Sequence, residues 1–197
     1  MQFENEFEYF KRLQSKNGAF KLGFGSTYSQ SYRYGILTKE LDLKNKTCVL
    51  LGCGEGAGVP FLQAKSCEKI YGFDIIESHV NNAKLKYPDL ENNFFCISEI
   101  DEIFNYVENI DWIIASGTWN VKVINKKYSK VEDLLNLSNR VNIGIATNFT
   151  INVPQNDDVY NFCPFVILKM FTEKFNYWKV DHSYFENDFS IWGFHKK

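Results

Sequence analysis

From Thr47 onward the chain alternates short, unbroken apolar runs with stretches whose apolar residues recur every three or four positions. The runs Cys48-Val49-Leu50-Leu51, Lys69 to Asp74, Phe94 to Ile97, Asp111 to Ser116 and Val141 to Thr147 are too short for helices and read as buried strands. The intervening stretches read as helices: Val59 to Lys65 with Pro60 in its first turn, Ser78 to Lys86 with a serine cap, a short one over Asp101 to Val107, and Ser129 to Leu137. Pro88-Asp89 marks a break. Strands separated by helical segments build β-α-β units, so the pattern predicts an α/β fold with a mostly parallel sheet covered on both faces.

The two ends of the chain differ from this middle. Phe3, Phe7, Phe10 and Leu13 form the stripe of an amphipathic helix, a glycine-punctuated loop follows over Asn17 to Ser26, and a second helix is expected from Ser29 to Leu41, carrying Arg33. After a helix over Pro164 to Glu173 come two strand-like runs, Tyr177 to Tyr184 and Phe189 to His195, joined by Phe185-Glu186-Asn187-Asp188. So short a joint makes a hairpin and cannot make a parallel crossover, so the last strand is expected to be antiparallel to its neighbour.

Composition narrows the class. With 197 residues, 45% apolar and 23% charged, the chain is expected to form one domain, with a core that needs neither metal nor disulfide. A net charge of -2 lacks the basic field of a nucleic-acid binder, so nucleic acid is not the expected partner. Lys122, Lys126, Lys127 and Lys130 read as a solvated lysine face. There is no apolar run long enough to cross a membrane, and the acidic, polar N-terminus does not resemble a secretory signal, which points to the cytoplasm. The five cysteines, scattered and mostly within apolar runs, read as reduced core thiols, with core burial also expected for Cys163. No C-x-x-C pair or histidine cluster suggests a metal. His79 and His195 read as surface residues.

Candidate chemistry lies at the first strand-to-helix turn, where Gly52, Gly54 and Gly56 precede Asp74 at the tip of the next strand. Glycines let the backbone approach a ligand, and an acid at the following strand tip can accept hydrogen bonds from two ribose hydroxyls. The segment Val49-Leu50-Leu51-Gly52-Cys53-Gly54-Glu55-Gly56 resembles the first motif of class I S-adenosylmethionine-dependent methyltransferases. Gly72-Phe73-Asp74-Ile75, Phe95-Cys96-Ile97-Ser98-Glu99-Ile100 and Asp111 to Gly117 are similar to the second, third and fourth motifs, in register from Lys46 to His195.

The resemblance implies a Rossmann-like doubly wound sheet of seven strands with an antiparallel C-terminal strand and helices on both faces. It further implies a single domain, with residues 1–45 as a helical cap on a core spanning 46–197. S-adenosylmethionine would be the cofactor and S-adenosylhomocysteine the product. Gly52, Cys53, Gly54 and Gly56 would lie along its methionine part, Asp74 on the ribose, Ile75 on an adenine face, Glu99 and Ile100 at the adenine edge, and Ser116 at the methionyl group. The family usually has an acid two residues before the first glycine, where this chain has Leu50; that departure motivates the alternative of a non-catalytic relative binding cofactor or partner. A nicotinamide oxidoreductase is a further alternative, since Ala57 stands where the last glycine of a dinucleotide fingerprint falls.

A narrower resemblance links Phe24-Gly25-Ser26, Ser29, Gln30, Arg33, Ser116 to Asn120, His182-Ser183-Tyr184 and Asn187-Asp188-Phe189 to small bacterial methyltransferases of the saccharide or small-molecule type. The acceptor would be an oxygen or nitrogen of a small polar molecule such as a sugar. Arg33, one of few arginines in a lysine-rich chain, is the candidate carboxylate clamp, and Thr118, Trp119 and Asn120 are candidate substrate residues, although Trp119 reads somewhat better as a core ring with its indole N–H satisfied. A hydroxyl acceptor gains from a base, for which His182 is the candidate, with Tyr184 as a hydroxyl that binds substrate. Monomer and homodimer both remain open.

Overall fold

The computed structural model describes residues 6–13, 26–122, 127–153 and 159–195. Phe3, the expected loop up to Gly25 and Lys126 lie outside them. The elements follow in the order α1 (Glu6–Leu13), α2 (Thr27–Lys39), β1 (Thr47–Leu51), α3 (Val59–Gln63), β2 (Lys69–Asp74), α4 (Glu77–Lys86), β3 (Phe94–Cys96), β4 (Ile110–Ala115), α5 (Ser129–Leu137), β5 (Val141–Thr150), α6 (Pro164–Lys174), β6 (Tyr177–Asp181) and β7 (Asp188–Phe194). The stretch after Glu99, expected as a short α-helix, is a 3-10 helix over Ile100–Asn105. Ser26 caps α2 by accepting from the Ser29 backbone, which starts that helix earlier than its apolar stripe indicates.

One sheet of seven strands runs β3-β2-β1-β4-β5-β7-β6. The first five are parallel, and β7 inserts between β5 and β6, antiparallel to both. This is the doubly wound sheet with a reversed C-terminal strand that the sequence leads one to expect. β5 runs to Thr150, three residues beyond its expected end, because β7 pairs with it as far as Thr150 opposite Asp188.

Side chains alternate across the sheet and divide the core in two. On one face Leu50, Ile114, Ala146 and Trp192 pack with Tyr34 and Leu37 of α2, Leu62 of α3 and Val80 of α4. On the other, Val49, Ile113, Ile145 and Ile191 pack with Leu134 of α5 and Phe171 of α6. Helix α2 is fixed along the first face: the Trp192 indole donates to the Leu37 carbonyl at 2.9 Å, and Arg33 on the preceding turn pairs with Asp188. Helix α1 packs Tyr9 and Leu13 against Val121, just past β4.

Three surface assignments change. His79 is buried at 2% exposure, with Nδ1 3.5 Å from Asp74 Oδ1, because α4 turns that side back toward the tip of β2. His195 is half-buried, its Nε2 donating to the Ser138 carbonyl. Lys130 is buried on the inner face of α5, so the lysine face is not uniformly solvated. The cysteines are free thiols, but only Cys48 and Cys53 are buried; Cys163, expected in the core, is exposed at the start of α6, as is Cys96.

Candidate active site

At the carboxyl end of β1 the chain enters the left-handed region at Gly52 and Gly54, with φ of 66° and 52°. Only glycine does this without strain. A Cβ at Gly52 would stand 2.5 Å from the Thr118 hydroxyl, so the β1 and β4 loops are pressed together at that point. Thr118 also donates to the Leu51 carbonyl at 3.0 Å. Asp74, at the tip of β2, organises the glycine loop from the other side. Its Oδ2 accepts the Gly54 N–H at 2.8 Å and its Oδ1 the Ile76 N–H at 3.0 Å. Oδ1 also faces His79 Nδ1, while Oδ2 keeps a second lone pair, so the group can hold the loop and still accept from a ligand hydroxyl.

Around this tip, Cys53 donates its N–H to the Phe73 carbonyl, and burial pushes its thiol well above the usual range. Gly56 donates back to the Cys53 carbonyl. Ile75 and Ile100 are half-buried; Glu99 is exposed, with its N–H bonded to Glu102 in the cap of the 3-10 helix. Glu55 accepts from the Asn82 side chain at 2.7 Å. Leu50 is fully buried in the core beside Tyr34 and Gly58, so the position is filled by packing.

The loop after β4 is held by side chains. Gly117 donates to Asn148 Oδ1 at 2.8 Å, and Asn120 Oδ1 accepts from the Thr150 N–H at 3.0 Å. Trp119 is buried in the core with its indole N–H given to Thr147 at 2.9 Å, which leaves no indole donor for a ligand. Ser116 is buried, and its hydroxyl has no hydrogen-bond partner.

Beside it runs a polar row that the sequence reading did not single out. Asn148 on β5 lies directly opposite Ser190 on β7, and Thr150 opposite Asp188, all on the α2 face and all buried. Ser116 follows Ile114 on the same face, one step past the last in-register pair of β4 and β5. Tyr184 bonds its hydroxyl to Ser190 Oγ at 2.8 Å and lies beside Asn148, and burial raises its phenol. Arg33 Nε donates to Asp188 Oδ2 and its guanidinium lies 5.6 Å from the centre of the Phe185 ring. Burial raises the Asp188 carboxyl to about 6 against the downward pull of Arg33. His182 is exposed in the hairpin, Nδ1 donating to the Asp188 carbonyl at 2.7 Å. The structure therefore brings Arg33, Tyr184, Ser116 and the hairpin together at the carboxyl end of the parallel strands. The signal in the sequence was polar residues at alternate positions of apolar strands: Asn148 before Phe149, and Ser190 between Phe189 and Ile191.

No protein-family model matches the chain, and no curated protein does. Solved structures do match. Magnesium protoporphyrin IX methyltransferase (ChlM) from Synechocystis PCC 6803 with bound SAH superposes with a TM-score of 0.65 at 15% identity, covering 97% of this chain and 94% of its own. A SAM-dependent methyltransferase from Aquifex aeolicus gives 0.59 at 16% identity, covering 96% and 98%. A Haemonchus contortus phosphoethanolamine N-methyltransferase in complex with phosphoethanolamine and S-adenosylhomocysteine gives 0.65 at 16% identity, covering 95% of this chain and 48% of its own. The chain has the Rossmann-like fold of S-adenosylmethionine-dependent methyltransferases.

Proposed function

We propose that this protein transfers a methyl group from S-adenosylmethionine to an oxygen or nitrogen of a small polar molecule, with a sugar or sugar-derived metabolite as the acceptor class. The observation that carries the reading is the clamped glycine loop, in which a buried carboxylate at the tip of β2 fastens Gly54 and retains a lone pair for a ribose. The donor set fits the cofactor. Gly52, Cys53, Gly54 and Gly56 offer backbone to its methionine part, Asp74 accepts from the ribose, Ile75, Glu99 and Ile100 surround the adenine, and Ser116 contributes an unpaired hydroxyl near the methionyl end. When bound, the sulfonium supplies an activated methyl group, and alignment of the acceptor contributes much of the rate.

The chain's own residues would hold the acceptor over the strand tips. Arg33 and Tyr184 face it from α2 and the hairpin, and the half-buried Thr118 and Asn120 border it from the β4 loop. We assign His182 a positioning part, through its bond to the Asp188 main chain. We assign the N-terminal segment to the same domain: of its described parts, α1 packs beside the end of β4 and α2 along the sheet.

Calorimetric titration tests the reading. S-adenosylhomocysteine and S-adenosylmethionine are expected to bind at micromolar concentration, NAD(H) not at all, and Asp74→Asn to weaken binding at least about tenfold while the protein still melts cooperatively. Absence of binding to either sulfur nucleoside would transfer the weight to a non-catalytic relative, with buried Leu50 as its mark. Binding of NAD(H) alone would favour an oxidoreductase.

A further inference from the structure

Besides Trp112 Nε1 in the middle of β4, three described side-chain atoms on the α2 face of the sheet are buried without a hydrogen-bond partner: Ser116 Oγ, Asn148 Nδ2, whose amide lies beside the Tyr184 phenol, and Asp188 Oδ1. They fall on three adjacent strands at the carboxyl end of the parallel sheet, where ligands sit in doubly wound folds. An unpaired buried polar atom costs about 1–3 kcal/mol, so three in one patch mark a place built to be completed by something else.

Their chemistry defines what completes them. Nδ2 of Asn148 can only donate, Oδ1 of ionised Asp188 can only accept, and the Ser116 hydroxyl does either. An ammonium group would satisfy Asp188 and leave the amide facing a like donor, whereas a carboxylate would satisfy the amide and be repelled by Asp188. A hydroxyl donates and accepts at once. Arg33 already neutralises Asp188, so the row has no net charge to attract an ion. Asn148 and Asp188 are diagonal neighbours on β5 and β7, on the same face and near enough for their side chains to meet one ligand group. Beside the row stand aromatic rings: Tyr32, 39% exposed, lies 5.2 Å from Phe185 and 6.3 Å from Tyr184. Such a wall suits the C–H face of a ring polyol.

We propose that this row is the seat of the acceptor, and that it takes a neutral hydroxyl of a polyol between Asn148 Nδ2 and Asp188 Oδ1. The assignment names the substrate class of the methyl-transfer site and rests on that reading. It makes Asn148 and Asp188 specificity-determining residues, with Ser190 and Tyr184 holding the row in shape.

Saturation-transfer NMR on the full chain tests it, with and without S-adenosylhomocysteine, using glycerol, myo-inositol and methyl α-D-glucopyranoside as neutral probes and ethanolamine and malate as charged ones. Transfer to at least one neutral polyol and to neither charged probe is expected. Asp188→Asn, which puts a donor where the acceptor stood, and Asn148→Asp, which does the reverse, are each expected to raise the dissociation constant at least about fivefold. If Asn148→Asp fails to fold, Asp188→Asn, uncharged and of the same shape, still decides. Transfer to none of the polyols, transfer to the charged probes, or polyol signals undiminished in the folded variants would overturn the proposal and leave the row to water. Calorimetry with S-adenosylhomocysteine on the same samples separates the two readings. Row-dependent polyol binding without nucleoside binding would sink methyl transfer alone, and nucleoside binding without polyol binding would sink only this assignment.

Discussion

Lys130 and Asp188 are ionisable side chains whose burial sets their behaviour, with opposite signs. Desolvation pulls the Lys130 ammonium down to about 8 from its ordinary 10.5, with Asp133 opposing. The unfolded chain then holds more protons between those values, so this group makes the fold more stable as pH rises from about 8 to 10.5. Lys130→Met is expected to stabilise the fold by about 1–3 kcal/mol at pH 7, seen as a higher melting temperature, and to lose that advantage toward pH 10, as thermal melts across the range would record. Asp188 is raised above its unfolded value of 3.8 to about 6, so the folded chain holds the extra proton in that window, and stability from this group falls as pH rises through it. The difference in melting temperature between Asp188→Asn and the parent is therefore expected to shift toward the variant between pH 4 and pH 7; a difference independent of pH would contradict the assignment. Neither residue was readable as buried in the sequence. A lysine in a lysine-rich stretch and an aspartate in a turn both suit a surface, and only the packing of α5 and α2 puts them inside.

Helix α2 is tied to the last two strands by links of very unequal worth. Arg33 meets a carboxylate with no exposed surface, whereas Lys39 meets Asp181 with its own side chain 41% exposed. Removing one partner of a buried pair strands the other, so Arg33→Ala is expected to cost about 3–5 kcal/mol, and Lys39→Ala no more than about 1 kcal/mol, in denaturant titrations. The glycine loop is the other element under tight constraint. Gly52→Ala adds a Cβ in the left-handed region against Thr118, so about 1–2 kcal/mol of backbone strain comes on top of the clash. The variant is expected to lose nucleoside binding in the calorimeter even where it remains folded. Periodicity located these elements well: β2 and α5 have the bounds the sequence predicts, because apolar runs and stripes are local. It ended β5 too early because the last three residues, Asn148 to Thr150, are strand only through their pairing with β7.

At the scale of the molecule, a ligand that binds only the folded chain stabilises it by mass action. Saturating S-adenosylhomocysteine at about one hundred times its dissociation constant is worth about 2.7 kcal/mol. That corresponds to a rise of about 5–10 °C in melting temperature for a chain of this size. Among the described residues no helix is long and apolar enough to cross a membrane, and no cluster of histidine, cysteine and acidic side chains could hold a metal ion.

The sequence by itself determined the alternation of strands and helices, the parallel sheet, the reversed final strand and the glycine loop with Asp74, because each is written in local spacing or in one short motif. Tertiary structure decided the rest. Ser190 joins Ser116 and Asn148 only because β7 inserts beside β5 instead of lying at the edge, and Arg33 reaches Asp188 across most of the chain only because α2 lies along that face. Residues so far apart in sequence carry no spacing from which their contact can be read, and polar residues that locally suggest a surface are brought together in the interior by the pairing of distant strands.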